Sequence, residues 1–161
     1  MSKSLSEPKT ARRLLTAGAV ATASITLFAL IDPVSTRLIA AQVQAGYPGY
    51  SSAEIDRAAV MYVGILVIVG VLGALGWGAT ILLSGRHRRL AFWLGLSLGA
   101  IGLLVAGAAL ATTDTSGTIG LAPVFGWLLL VPCGLGLTAL IALRRAAFDR
   151  TTPRGAADPA G

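Results

Sequence analysis

Few side chains in this sequence are suited to making or breaking bonds. There is one histidine, His87, and one cysteine, Cys133. A heme or metal site built between helices needs at least two such ligands, and a dithiol redox centre needs a second thiol. His87 stands among Arg86, Arg88 and Arg89, the setting of a solvated turn. Cys133 lies in an apolar run, where a thiol behaves as a small hydrophobe. The remaining charged candidates gather in one stretch. Asp32, Arg37, Glu54, Asp56 and Arg57 fall within residues 32–57, together with Tyr47 and Tyr50. A charged site for a small molecule or a partner has to draw on these residues. Two of them already have local work. Asp32 precedes Pro33 as an N-cap precedes a first-turn proline, and Ser51-Ser52-Ala53-Glu54 has the spacing of a capping box. The chain contains no phosphate-binding GxxxxGK loop, GxSxG elbow, HExxH or CxxC. No catalytic residue, cofactor or metal site is expected, and the chain reads as a protein that is not an enzyme.

The elements that would position these residues are dictated by composition. Of the 161 residues, 55% are hydrophobic and only 12% are charged, with a mean hydropathy of +0.76. Soluble domains carry about 25% charged residues. Four runs, 14–31, 58–83, 90–113 and 115–143, contain no Asp, Glu, Lys, Arg or His. A helix needs about 20 residues to cross a hydrocarbon layer ~30 Å thick. Continuous apolar runs select helices over the alternating strands of a barrel. The expected fold is an all-α membrane protein, a four-transmembrane-helix antiparallel bundle with a short amphipathic helix in an outer loop. Its spans are 14–31, 58–83 (in a helix starting near residue 52), 90–112 and 120–143.

Charge placement orients the spans. Lys3, Lys9, Arg12 and Arg13 lie in 1–13, Arg86, Arg88 and Arg89 in 84–89, and Arg144, Arg145, Arg150 and Arg154 in 144–161. These are eleven of the thirteen basic residues. The segments 32–57 and 113–119 hold only Arg37 and Arg57, against Asp32, Glu54, Asp56 and Asp114. Cytoplasmic flanks collect Lys and Arg. Both termini and the 84–89 turn are therefore expected in the cytoplasm, in a plasma (inner) membrane. The net charge of +6 follows from this topology and does not indicate nucleic acid. The cytoplasmic arginines suit anionic lipid headgroups. The first run also fits a signal peptide with Ala21-Thr22-Ala23 as a cleavage site, and Arg12-Arg13 hints at a twin-arginine signal. Its continuation to Ile31 favours a retained helix. The Ala, Gly and Arg bias resembles that of GC-rich bacterial genomes, and the layout resembles small bacterial four-helix membrane proteins.

The outer segment breaks into pieces. Residues 34–45 are expected to form an interfacial helix with Val34, Leu38 and Ala41 on its apolar side and Ile39 and Val43 close by. Tyr47-Pro48-Gly49-Tyr50 predicts a type II turn, with positive φ at Gly49. The tail 144–161, with Pro153, Gly155 and Pro159, is expected to be disordered, with a short helical extension near Phe148.

Inside the spans, small residues recur at three- and four-residue spacing: Gly70, Ala74 and Gly78, then Gly95, Gly99, Gly102 and Ala106. Such faces let helix backbones approach closely, within one chain or across a homo-oligomer seam. Pro132, in the fourth span, frees a carbonyl and can kink the helix or open a cavity. A polar cavity between the second and fourth spans is the place to look for a site. Trp77, Phe92, Trp93, Phe125 and Trp127 lie toward span ends as interface anchors. No ionisable residue sits at mid-span, where one would cost at least ~2.5 kcal/mol. That excludes proton pumping, proton-coupled transport and voltage sensing. The leading reading is a structural or partner-binding membrane protein, joined to a membrane partner or to copies of itself. The alternative is a passive channel or small-solute permease acting as an oligomer, and a membrane enzyme with Asp32, Glu54 and Asp56 as its site ranks third.

Overall fold

A computed structural model of the chain describes residues 7–113, 117 and 120–148. Every regular element among them is helical. Helix α1 spans Glu7–Ile31 and is followed by a 3-10 turn, Asp32–Val34. Helix α2 spans Leu38–Gly46, α3 Ser52–Arg86, α4 Arg88–Ala111 and α5 Pro123–Phe148. Four of them (α1, α3, α4 and α5) are long and apolar enough to cross a membrane. They contact one another in the cyclic order α1, α3, α4, α5, and α2 lies on α3.

Several boundaries differ from the charge-free runs, because charge does not end a helix. Helix α1 starts at Glu7, well before the apolar stretch. Ser84, Gly85 and Arg86 belong to α3, while Arg88 and Arg89 open α4. The turn between them is a single residue, His87, whose N–H donates to the Leu83 carbonyl at 2.8 Å while its own carbonyl accepts from Ala91 N–H at 2.9 Å. Helix α5 starts at Pro123, where a missing N–H costs nothing, and continues to Phe148, so the first residues of the 144–161 tail are helical. The expectation of disorder for the rest falls on residues 149–161, outside the described residues. Ahead of α5, Gly117 takes a φ of 79°, a left-handed conformation that favours glycine.

The start of α3 matches its sequence signature. Ser51 N–H and Ser51 Oγ both donate to Glu54 Oε2, at 2.8 and 2.7 Å, and the helix begins at Ser52. Two other outer-segment expectations are corrected. The Tyr47–Tyr50 turn is closed by Tyr50 N–H donating to Tyr47 O at 3.1 Å, but Gly49 does not take positive φ, so the turn is not type II. The predicted 34–45 helix is interrupted at Arg37, whose φ of 51° breaks the helical path. Its inward face is Ile39, Ala40 and Val43. Val34 is 87% exposed, and Leu38 and Ala41 are exposed as well.

The buried side chains form two clusters. The outer one joins Ala29 of α1, Ile39, Ala40 and Val43 of α2, Ile55, Ala59 and Leu66 of α3, and Phe125 of α5. The inner one joins Ala11 and Leu15 of α1 to Ala139 and Leu143 of α5. Helix α4 contributes to neither. Two aromatic assignments fail accordingly. Phe125 is fully buried, 5.5 Å from the Phe28 ring. Trp77 turns inward, and its Nε1–H donates to Thr22 Oγ1 at 3.0 Å. Trp93 and Trp127 are exposed.

Candidate functional site

The charged residues of the outer segment are brought to one end of the molecule, and most of them are spent on structure. The Asp32 carboxylate is fully buried and accepts from Leu38 N–H at 2.9 Å, Ile39 N–H at 3.1 Å and Thr36 Oγ1. Asp32 was expected to cap a helix starting at Pro33. Instead it caps α2 from six residues away, because the chain doubles back through the left-handed Arg37. An anion also complements the dipole at that helix N-terminus. Glu54 precedes the uncharged run that begins at residue 58. The Ser51 hydroxyl, then the Ser51 N–H, hold its carboxyl below the ordinary value. The stabilisation from a lowered carboxyl is present above its unfolded pKa and fades as pH falls through the folded one, so this cap weakens only in acid.

Arg37 Nη2 meets Asp56 Oδ1 at 2.6 Å, with both side chains 59% exposed. Exposed pairs contribute little, so Asp56→Ala is expected to change stability by less than ~1 kcal/mol in a denaturant titration. Arg57 is exposed on α3. Tyr47 and Tyr50 stack at 4.6 Å. No group of acidic, histidine or cysteine residues among the described residues could hold a metal ion.

The interior offers a different kind of site. A cavity of about 310 Å³ lies between the four long helices. Its wall includes Gly70 and Gly73 of α3, Gly95, Gly99 and Gly102 of α4, and Pro132, Cys133 and Gly136 of α5. The expectation was a polar cavity between the second and fourth spans. The position is met, since α3 and α5 both line it, but the polarity is not. Its few polar groups are already paired. Thr22 Oγ1 donates to Gly18 O at 2.9 Å and accepts from Trp77, and Thr80 Oγ1 donates to Gly76 O at 2.8 Å. No buried side-chain nitrogen or oxygen among the described residues lacks a partner.

Glycine makes the cavity wall by leaving side chains out, but the glycines differ in kind. A Cβ on Gly70 would overlap Thr26 Oγ1, and one on Gly95 would lie 3.0 Å from Leu140 Cδ2. On Gly102 it would lie 3.2 Å from Cys133 Sγ. Gly78 and Gly99 have nothing within 4 Å. Ala74 is half-buried on α3, and Ala106 is fully buried on α4.

Sequence spacing missed other close approaches. Gly18 and Gly136 lie against the Trp77 ring, at 2.7 and 3.0 Å from a Cβ position, and Gly76 and Gly126 against Leu98 and Leu110, at 2.7 and 2.6 Å. The only available hint was the coincidence of glycine with large side chains on other helices, which no single-helix pattern displays. Pro132 is buried at the cavity wall and has no N–H to give the Leu128 carbonyl. His87 is exposed at the opposite end of α3 from the acidic segment. Comparison with protein-family models, curated proteins and solved structures finds no match to this chain.

Proposed function

We propose that the chain is a multi-pass plasma-membrane protein, an antiparallel four-helix bundle with both termini in the cytoplasm, and that its role is structural or partner-binding and not enzymatic. The observation that carries this reading is the division between faces. Leu82, Leu104, Met61 and Leu75 are 80, 73, 70 and 66% exposed on helices whose inward polar groups are all paired. Such an outer surface suits lipid and suits neighbouring transmembrane helices. The charged groups one would recruit for catalysis are largely held in caps and one ion pair. Retention of the first span is supported by its packing, since Thr22, Gly18 and Thr26 of α1 meet Trp77 and Gly70 of α3.

The test is extraction in mild detergent. A defined oligomer or a reproducible membrane partner is the expected result, and recovery only as an inert monomer would overturn the reading. A second reading, an oligomeric passive channel or permease, draws on the meeting of Pro132 with Gly70, Gly95, Gly99 and Gly102 at one cavity. The apolar wall favours uncharged solutes. Absence of flux above empty liposomes for a panel of such solutes rejects it.

A further inference from the structure

The cavity has a window. Of the residues on its wall, Leu72 of α3 and Ile101 of α4 are the exposed ones, at 62 and 57%. The opening thus lies in the seam between α3 and α4, just above the point where Leu98 closes on Gly76. Both helices run from that seam to a common cytoplasmic corner, where Arg86 and Arg89 are exposed and Arg88 is half-buried. Leu72 is fourteen residues from Arg86 and Ile101 thirteen from Arg88. At ~1.5 Å per residue, the window is about 20 Å from the arginines. That is half the ~40–45 Å thickness of a bilayer with its headgroups. The window therefore sits where the chain ends of cytoplasmic-leaflet lipids lie.

The cavity's contents follow from its wall. Water needs two to four polar partners, and every hydroxyl and indole N–H on this wall is already paired within the protein. Apolar cavities of roughly half this volume stay dry and take up small apolar molecules. A transmembrane helix, ~10–12 Å across, does not fit in 310 Å³.

We infer that the structure assigns this cavity to the distal acyl chain of an anionic phospholipid of the cytoplasmic leaflet, with its headgroup phosphate on Arg86, Arg88 and Arg89. The inference rests on the membrane orientation proposed above. The arginines supply the charge complement, the α3–α4 seam guides the chain, and the glycine-walled cavity receives its end. Gly99 is the natural plug position, because it lines the cavity with no atom within 4 Å of its Cβ site. Gly107 is equally open but is not on the wall, and it serves as the control.

Trp77 reports directly, since its ring is part of the wall. The chain has three tryptophans, and Trp93 and Trp127 face outward. With Trp93→Phe and Trp127→Phe, the protein is reconstituted into vesicles containing phosphatidylglycerol or phosphatidylcholine brominated near the chain end. The expected result is loss of most Trp77 emission with the brominated anionic lipid and a smaller loss with the zwitterionic one at the same mole fraction. Gly99→Phe restores the emission and Gly107→Phe does not. The combined substitution of Arg86, Arg88 and Arg89 by Gln removes the preference between lipids. Persistent Trp77 emission, quenching unchanged by Gly99→Phe, or equal quenching by both lipids overturns the inference. A companion protein retaining only Trp93 separates the two failures. In vesicles of lipid brominated near the headgroup end of the chain, five residues from Arg88 put Trp93 within reach of the bromines. If Trp93 escapes quenching there, membrane insertion itself is wrong; if Trp93 is quenched there while Trp77 escapes the chain-end bromines, only the acyl-chain site is wrong.

Discussion

Replacing Gly70 with alanine is expected to destabilise the protein by about 1–3 kcal/mol, the range for overpacking a tight interior. The added methyl would coincide with Thr26 Oγ1 and lie 2.9 Å from Thr26 Cβ. The obstacle is not the flexible end of a long chain. Thr26 is β-branched, and its hydroxyl is engaged with Thr22 O at 2.8 Å, so α1 and α3 must move apart. Gly78→Ala on the same helix should do the reverse. Its Cβ site is empty, and trading glycine for alanine in a helix gains about 0.5–1 kcal/mol. Denaturation of detergent-solubilised protein, followed by circular dichroism, gives both values. The double substitution Thr26→Gly with Gly70→Ala should recover most of the loss. Equal effects of Gly70→Ala and Gly78→Ala would show that α1 and α3 do not touch at this point.

Asp32→Ala carries the second large effect. It strips the acceptor from two backbone amides of α2, of which Ile39 is 1% exposed, and leaves Thr36 without its partner. An orphaned buried donor costs about 1–3 kcal/mol, so a total of about 2–4 kcal/mol is expected from the two amides. Asp32→Asn is not a rescue, because its amide would present a donor to donors. The damage should stay local. Hydrogen exchange should accelerate at Leu38, Ile39 and Val43, with the amides around Leu140 unaffected. The contrast with Asp56→Ala, one helix away and exposed, separates a buried cap from a surface ion pair.

These two residues also mark what could be read from sequence. The four long apolar helices and the capping box at Ser51 and Glu54 depend on local composition or on a few neighbours, and they are legible in the chain; the turn expected over 84–89 is not, because its arginines join the helices on either side of His87. The role of Asp32 is not, because it depends on a left-handed Arg37 that no propensity rule anticipates. The small-residue pattern located faces but could not weigh them. Gly70 and Gly78 share the spacing, yet one meets another helix and the other meets open space. Trp77 and Phe125 sat where anchors sit along the chain. Which way a ring points around a helix depends on the neighbours that complete the ring of contacts, here Thr22 for one and Phe28 for the other. The polarity of the cavity was misjudged for the same reason: threonines and an indole look polar until their partners are known.

The inner buried cluster has a consequence for how the molecule is made. Ala11 and Leu15 come from the first helix, Ala139 and Leu143 from the last, and Trp77 and Ile81 pack against them from between. More than a hundred residues separate the two ends of this cluster. Contacts this distant along a chain form late. While the chain is being synthesised, α1 has only α3 to lean on, and the inner cluster cannot close until α5 has been made. The four long helices are thus sealed together by α5, and a chain halted before Pro123 would hold α1 by one side alone.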